Sequence, residues 1–209
     1  MQKKYVYILV FVALVAGAIA AVKPVLNANT PAEKSQLIDN ELVADQDSTL
    51  TPFKWYTVNE ALTLQAQTGK KMFIDVYTTW CGPCKMLDAN TFSNTEIKKL
   101  LSEYYIPTKF NAESGDTIIF KGQTFINKNY TTVPRKSTHD FAIYIASTQQ
   151  GLGYPTMVFL DEQQNLIQPI SGYLVPERLE PILAYFGSNA YKDTDWDTYY
   201  KNFKSNISQ

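Results

Sequence analysis

Cysteine and histidine are scarce in this 209-residue sequence, which contains two cysteines and one histidine. A structural zinc site is disfavoured, because the two cysteines lack the further Cys or His ligands that would complete it. A cysteine–histidine hydrolase would need a histidine near the nucleophile and oxyanion donors, and nothing around His139 predicts them. We therefore expect no metal, and we place His139 in the first turn of a helix without a catalytic role.

An excess of charge of either sign is also absent. The sequence has 19 basic and 20 acidic residues, a formal net charge of −1, and no basic stripe, so it gives no electrostatic reason to expect a nucleic-acid partner. A hydrophobic content of 45% and an aromatic content of 13% are typical of globular proteins. The length favours one domain with additions over two average domains.

The long apolar run of the sequence lies at its N-terminus. Lys3 and Lys4 precede the charge-free residues 5–22, and small residues at Ala16, Ala18 and Ala20 offer sites for signal cleavage. The run also reaches the lower length limit of a membrane-spanning helix. Residues 1–22 are therefore predicted to be a signal peptide or an N-terminal membrane anchor, and both remain open. Either would place the rest of the chain outside the cytoplasm, in the periplasm in a bacterial cell.

Composition divides the remainder of the chain into a linker and a domain. Residues 23–51 are predicted to be a flexible linker, because a segment rich in Asn, Asp, Gln, Ser and Thr buries too little apolar surface to order itself. A docked N-terminal extension is the alternative. Residues 52–209 form the predicted domain, with an insertion at about 116–136 and a C-terminal extension at about 187–209.

Both cysteines lie in one motif, Cys81-Gly82-Pro83-Cys84, directly after the apolar residues 72–77. A Cys-x-x-Cys pair that follows a strand and opens a helix is typical of a redox-active turn. Since this pair suits a redox centre, no cysteine remains for a structural disulfide, and the fold must be stable through packing alone.

The first half of the domain alternates between strand and helix signals. Residues 52–56 are predicted to form a short strand, and Thr57 with Glu60 forms a capping box before a helix that ends at Gly69. Residues 71–77 suit a strand covered on both faces. A helix follows from Cys84, and a second capping box begins the next helix; its residues are Ser93 and Glu96. Residues 105–111 form another strand, whose start should lie outside the sheet because of Pro107.

The second half departs from this alternation. Residues 117–120 and 123–126 flank Lys121-Gly122 as in a two-residue hairpin, and a helix begins near residues 137–138. Residues 157–160 and 166–170 predict an antiparallel hairpin, which is followed by a helix with Pro176 in its first turn. The aromatic residues at 196, 199, 200 and 203 recur at helical spacing and should pack against the domain rather than form a ligand surface. The fold class is therefore α/β, with a central mixed sheet flanked by helices, an inserted hairpin or loop and a C-terminal helical extension.

At residues 53–186, apart from the insertion, the sequence resembles the thioredoxin superfamily. Residues 73–86 are similar to the family's strand, active-site turn and helix start, and residues 109–113 resemble the end of the next strand. Residues 154–156 resemble its cis-proline segment, and Gly172 matches a glycine near the site. The chain looks most like the extracytoplasmic thioredoxin-domain proteins of Bacteroidetes.

The resemblance implies a role for each cysteine. Cys81, exposed at a helix N-terminus that lowers its pKa from ~8.5 toward ~7, would be the attacking thiolate. Cys84, one turn further and more covered, would resolve the mixed disulfide. Gly82 and Pro83 would shape the turn between them.

The resemblance also implies helpers around the cysteines. Asp75 corresponds to a buried acid whose pKa is raised by desolvation and which takes the proton of Cys84. Lys109 matches a lysine near this acid, although a solvent-facing lysine is an equal alternative. Pro155 would be the cis-proline opposite the disulfide, where the preceding backbone pairs with substrate. Trp80 would shield the thiols, Tyr154 would affect which substrates fit, and Gly172 would lie near the site.

The predicted function is that of an extracytoplasmic thiol–disulfide oxidoreductase which reduces protein disulfides through Cys81 and Cys84. The CGPC turn resembles thioredoxin, near about −270 mV, more than strong oxidants near about −120 mV. A disulfide oxidase or isomerase on the same fold and a redox-inactive binding module are the alternatives. No cofactor is implied, and the expected partners are protein disulfides and a membrane thiol electron donor.

Overall fold

The computed structural model of the protein describes residues 52–130 and 137–207. The predicted signal peptide or anchor and the predicted linker therefore lie outside the described residues, as does segment 131–136 of the predicted insertion. In the described ranges, no helix combines the length and the hydrophobicity that crossing a membrane requires.

The described residues alternate between helices and strands. The helices are α1 (Val58–Thr68), α2 (Gly82–Met86), α3 (Thr95–Tyr104), α4 (Asp140–Ala146), α5 (Pro176–Gly187) and α6 (Trp196–Asn202). The strands are β1 (Lys71–Tyr77), β2 (Tyr105–Asn111), β3 (Ile118–Phe120), β4 (Gln123–Phe125), β5 (Thr156–Leu160) and β6 (Leu166–Ser171). A π-helical turn, Leu87–Thr91, continues α2, and a short 3-10 turn, Ala190–Lys192, follows α5.

Four strands form the central sheet in the order β2-β1-β5-β6. Strands β1 and β2 are parallel, whereas β5 runs antiparallel to both β1 and β6. The mixed sheet flanked by helices confirms the predicted fold class, with the hairpin β3–β4 inserted after β2 and a helical extension after α5.

Strand β1 is buried on both faces, because its side chains alternate between two apolar cores. Met72, Ile74 and Val76 contribute to the core under α1, α4 and the inserted hairpin. Phe73 belongs to the opposite core, under α3 and α5. By the same alternation, Asp75 lies on the face of Phe73. The strand that ends at the redox turn is thus fixed on both sides.

The prediction that Pro107 displaces the start of β2 was wrong. Strand β2 pairs with β1 along its whole length, from Tyr105 beside Lys71 to Asn111 beside Tyr77. Pro107 is accommodated because β2 is an edge strand of the sheet and the backbone of Pro107 faces outward, where its carbonyl accepts from the Tyr56 N–H at 2.9 Å.

The first predicted strand, residues 52–56, is also absent from the described structure as a regular element. Only Tyr56 forms a bridge, which it makes with Thr108 at the outer edge of β2. The expected capping box of Thr57 and Glu60 follows directly and begins α1.

Two helix starts differ from the predicted ones. Asn94, rather than Ser93, caps α3, because its Oδ1 accepts from the backbone N–H groups of Glu96 and Ile97 at 2.9 and 3.3 Å. His139, rather than residue 137 or 138, caps α4 and is completely buried. The ring accepts from the Phe141 N–H at 3.0 Å through Nδ1, and its Nε2 lies 2.7 Å from the Asp116 carbonyl oxygen. His139 therefore ties the start of the insertion to α4.

Candidate active site

The redox turn closes a disulfide between Cys81 and Cys84, whose Cα atoms lie 5.3 Å apart. Cys81 is the N-cap of α2, and its Sγ accepts from the Cys84 N–H at 3.1 Å. Pro83 stands in the first turn of α2, where its missing N–H costs no helical hydrogen bond. Gly82 lies between Cys81 and Pro83 in the turn, and a Cβ at this position would meet no atom within 4 Å.

The prediction that Cys81 is exposed was wrong. Both cysteines are 3% exposed in the disulfide form. The bond draws the Cys81 side chain back toward the first turn of α2, so that its sulfur contacts the helix backbone rather than solvent. The predicted exposure applies to a free thiol at the helix end and not to a cysteine held in the Cys81–Cys84 disulfide.

Asp75 lies fully buried on β1, six residues before Cys81. Burial raises the pKa of its carboxyl from 3.8 to about 6, and the positive charge of Lys109 limits this rise. Its Oδ2 accepts from Lys109 Nζ at 3.0 Å. Its Oδ1 is buried and accepts no hydrogen bond from the described part of the protein. This oxygen can accept a proton without giving up another bond.

Lys109 faces Asp75 from the neighbouring position of β2. It also pairs with Asp88, which follows α2 in the π-helical turn. Burial lowers the pKa of the Lys109 ammonium, but the two carboxylates more than offset this effect and raise that pKa overall. The solvent-facing alternative for Lys109 does not describe this geometry, because its side chain is 21% exposed and spans two acids.

Three aromatic rings surround the lysine ammonium. Lys109 Nζ lies 5.1 Å from the ring centre of Trp55, 5.2 Å from that of Tyr77 and 5.5 Å from that of Phe92. Such rings attract a cation and limit its access to water. The ammonium is thereby held beside the buried carboxyl of Asp75.

The Tyr154–Pro155 peptide bond is cis. The Pro155 carbonyl accepts from the Gly172 N–H at 2.8 Å, and Gly172 has a φ of +103°, which favours glycine. Gly172 therefore supports the proline segment from the end of β6.

Trp80 and Tyr154 pack edge to face beside this segment, with ring centres 6.1 Å apart. The indole N–H of Trp80 donates to Glu113 Oε2 at 3.0 Å. Trp80, Glu113 and Tyr154 line a cleft of about 630 Å³, which we call the redox cleft. The predicted site residues on β1, the turn and the proline segment thus lie on elements that adjoin in the fold, while their chemical roles stay predictions.

Sequence reasoning missed Asp88 and gave no role to Glu113. Asp88 stands four residues after Cys84, in the π-helical turn, and its carboxylate pairs with Lys109 of β2. Glu113 lies in the segment that resembles the family, directly after β2. Only the fold shows that each carboxylate contacts a predicted site residue.

Comparison with known proteins gives relatives of modest similarity. The human spermatogenesis-associated protein 20 is 26% identical over 155 residues, which cover 70% of this chain and 17% of that protein. The chain therefore spans about a sixth of the length of this curated relative.

Two solved structures are similar to this chain at low identity. A thioredoxin from Thermus thermophilus is 16% identical with a TM-score of 0.47, and the match covers 65% of this chain and 88% of that one. A thioredoxin-fold protein from Helicobacter pylori is 17% identical with a TM-score of 0.47, covering 64% and 79% of the two chains.

A family model described as a thioredoxin-like domain matches residues 58–187. This range runs from the start of α1 to the end of α5 and contains the Cys81–Cys84 pair, Asp75, Lys109 and the cis-proline segment. The chain therefore belongs to the thioredoxin-like domain family.

Proposed function

We propose that this protein is a thiol–disulfide oxidoreductase that reduces disulfides of protein substrates outside the cytoplasm. The observation that carries the proposal is the Cys81–Cys84 disulfide at the start of α2, directly beyond the strand that holds the buried carboxyl of Asp75. This disulfide is the form of the site expected after it has given two electrons to a substrate.

The first step requires the reduced site. The Cys81 thiolate attacks one sulfur of the substrate disulfide, so that a Cys81–substrate bond forms and the substrate's own S–S bond breaks. The other substrate sulfur leaves as a thiolate and takes a proton from solvent. The Cys84 N–H, which is 3.1 Å from Cys81 Sγ, is placed to stabilise negative charge on that sulfur.

The second step uses Cys84. Its thiol gives a proton to the Asp75 carboxylate, and the resulting thiolate attacks Cys81 Sγ, which releases the second substrate thiolate. The result is the Cys81–Cys84 disulfide, one reduced substrate and two electrons transferred. A pKa of about 6 leaves Asp75 ionised at neutral pH and able to accept the proton.

The direction and the location are supported by the sequence. The CGPC turn is similar to that of thioredoxin, whose potential of about −270 mV favours reduction of substrates. Residues 1–22 have the layout of a signal peptide or anchor, which would place the domain in an oxidising compartment. A reductase there needs a continuing supply of electrons, so we propose a membrane thiol protein as its donor.

Substitution of each cysteine tests the mechanism. Cys81→Ser should abolish reduction of insulin disulfides by dithiothreitol-recharged protein, because the attacking thiolate is lost. Cys84→Ser should instead accumulate a covalent mixed disulfide with substrate, detectable by mass spectrometry, because the second step is blocked. Unchanged insulin reduction by Cys81→Ser would contradict the site assignment.

Two further measurements test direction and location. Equilibration of the Cys81–Cys84 pair with glutathione buffers should give a potential near about −270 mV, and a value near about −120 mV would indicate an oxidase instead. In cells that express the full chain, a membrane-impermeant thiol reagent should label the reduced protein, and protection until lysis would contradict the proposed location.

A further inference from the structure

Exposed apolar side chains collect on the inserted hairpin and on the outer side of α4. Ile126, Ile143 and Tyr144 are 42, 49 and 55% exposed. Ile126 directly follows β4, and the other two lie in α4. Grouped exposed apolar residues of this kind mark sites of interaction more often than singly scattered ones do.

Buried aromatic rings hold the hairpin from beneath, and the partly exposed ring of Tyr144 adds to this contact, with its centre 5.0 Å from that of Phe125 and 6.2 Å from that of Phe120. Phe120 and Phe125 already bury their rings against Phe141 of α4, with ring centres 5.3 and 5.5 Å apart. The Asp140 N–H donates to the Ile126 carbonyl at 3.2 Å, and the His139 ring joins Asp116 to α4. The exposed residues therefore sit on a surface that is fixed from beneath.

A cleft of about 540 Å³ lies between β4 and α4. It shares Lys128, Asp140 and Ile143 with the redox cleft that begins at Trp80 and Tyr154. Lys128 Nζ and Asp140 Oδ2 form an ion pair at 3.0 Å on this shared boundary. The two clefts thus form one continuous surface that leads from Trp80, the residue before Cys81, to the hairpin.

Strand β4 adds a second means of binding. In the described part of the chain it pairs only with β3, so its other edge has backbone groups without a strand partner. An extended peptide can add to such an edge through main-chain hydrogen bonds and place alternate side chains on the adjoining surface.

We propose that Ile126, Ile143, Tyr144 and the Lys128–Asp140 pair, which we call the α4 surface, bind an extended apolar segment of the polypeptide that carries the substrate disulfide. The inference rests on the proposed function, because the partner is the protein whose disulfide reaches Cys81. Continuity with the redox cleft favours this occupant over a second copy of the chain, since a bound segment would extend toward the site of reaction.

The test compares two synthetic peptides with the same disulfide loop, one flanked by Val-Leu-Phe and the other by Gly-Ser-Gly, together with a small aromatic disulfide. The wild-type protein should reduce the apolar peptide with a kcat/KM about tenfold above that for the polar peptide, which corresponds to about 1.4 kcal/mol. Ile143→Glu should reduce this ratio to about one, because a charge then replaces the apolar contact. Binding of fluorescent versions of both peptides with Ser in place of Cys gives the affinity independently of chemistry.

Leu166→Glu is the matched control, because Leu166 is 48% exposed and lies on β6 rather than on the α4 surface. It should keep the tenfold preference, and circular dichroism should show that both variants are folded.

Equal affinity of the wild type for the two peptides would overturn the proposed role of the α4 surface and leave the proposed function standing. A dimer that Ile143→Glu dissociates would overturn it too, since a second copy would then cover the surface. Failure of the wild type to react with the small disulfide would overturn the proposed function and, with it, the substrate role.

Discussion

Asp75 is completely buried, yet the proposed mechanism requires its carboxyl to lose and regain a proton in each cycle. Burial disfavours the charged form, while Lys109 at 3.0 Å favours it, and the balance leaves its pKa at about 6 instead of 3.8. The residue that would act as a base at neutral pH is therefore held in its charged form at a cost to folding.

That cost predicts a dependence of stability on pH. The native protein keeps the Asp75 proton up to about pH 6, whereas the unfolded chain releases it near pH 3.8. The protonated Asp75 carboxyl therefore stabilises the native protein fully below pH 3.8, and this stabilisation is lost as the pH rises through about 6. Two pKa units correspond to a loss of about 3 kcal/mol at most.

Asp75→Asn should abolish this decrease in the free energy of unfolding with rising pH. Between pH 4 and pH 8, the variant should gain up to about 3 kcal/mol in free energy of unfolding relative to the wild type, measured by urea denaturation of the oxidised forms. Asp88→Asn is the control, because it removes the partly exposed carboxylate that also pairs with Lys109 and should keep most of the pH-dependent loss. Parallel curves for Asp75→Asn and the wild type would contradict the assignment.

At the scale of elements, one buried acid helps to attach the C-terminal extension to α5. Glu180 of α5 is completely buried and accepts from the Asn206 N–H at 2.7 Å and from the Ser205 hydroxyl. Ile207 packs beside it against the core under α3 and α5. Of the aromatic residues predicted to pack against the domain, Trp196 and Tyr199 do so, with ring centres 5.3 and 4.8 Å from that of Tyr185, whereas Tyr200 is 44% exposed and stacks on Trp196.

The attachment predicts a local effect of Glu180→Ala. Loss of the carboxylate should lower the free energy of unfolding by about 1–3 kcal/mol, because two hydrogen bonds to a charged group disappear. Hydrogen exchange of residues 203–207 should accelerate at the same time. Glu177→Ala, three residues earlier on the exposed side of α5, should cost less than about 1 kcal/mol and leave that exchange unchanged. Similar exchange in both variants would contradict the role of Glu180.

At the scale of the whole molecule, one buried lysine connects distant parts of the chain. Lys71, at the start of β1, is 4% exposed and donates to Glu162 Oε1 at 2.6 Å and to the Gly187 carbonyl at 3.2 Å. It thereby links the central strand to the β5–β6 turn and to the end of α5. Its charge is satisfied only when all three segments are in place.

This arrangement predicts unequal effects of removing the two partners. Glu162→Ala should lower the free energy of unfolding by about 2 kcal/mol, because it leaves a buried ammonium without its carboxylate. Lys71→Met should change it by less than about 1 kcal/mol, since an apolar chain of similar length replaces the buried ammonium and the Glu162 carboxylate that remains is 28% exposed and can be solvated by water. The double variant should then be at least as stable as Glu162→Ala, as measured by urea unfolding at pH 7. Equal losses from both single substitutions would contradict this account.

The sequence by itself determined the elements whose signals are local. Alternating apolar residues, the capping box at Thr57 and the Lys121-Gly122 turn need only near neighbours, and each formed as predicted. The Cys81–Cys84 spacing predicted the redox turn for the same reason. Where local signals compete, the outcome has different causes. At residues 93–94, the Ser93 hydroxyl donates back to the Ala89 carbonyl and Asn94 becomes the cap, whereas at residues 137–139 the cap is His139, whose ring also contacts the distant Asp116 carbonyl.

Only the tertiary structure decided which distant residues meet. Asp88 of the π-helical turn pairs with Lys109 of β2, Glu113 accepts from the indole of Trp80, which is 33 residues earlier, and Glu180 holds a tail that is 25 residues away in sequence. No spacing rule gives such contacts, because they depend on how separate elements pack. The same packing exposed Ile143 beside the redox cleft, so the sequence placed the cysteine pair and the fold decided what can approach it.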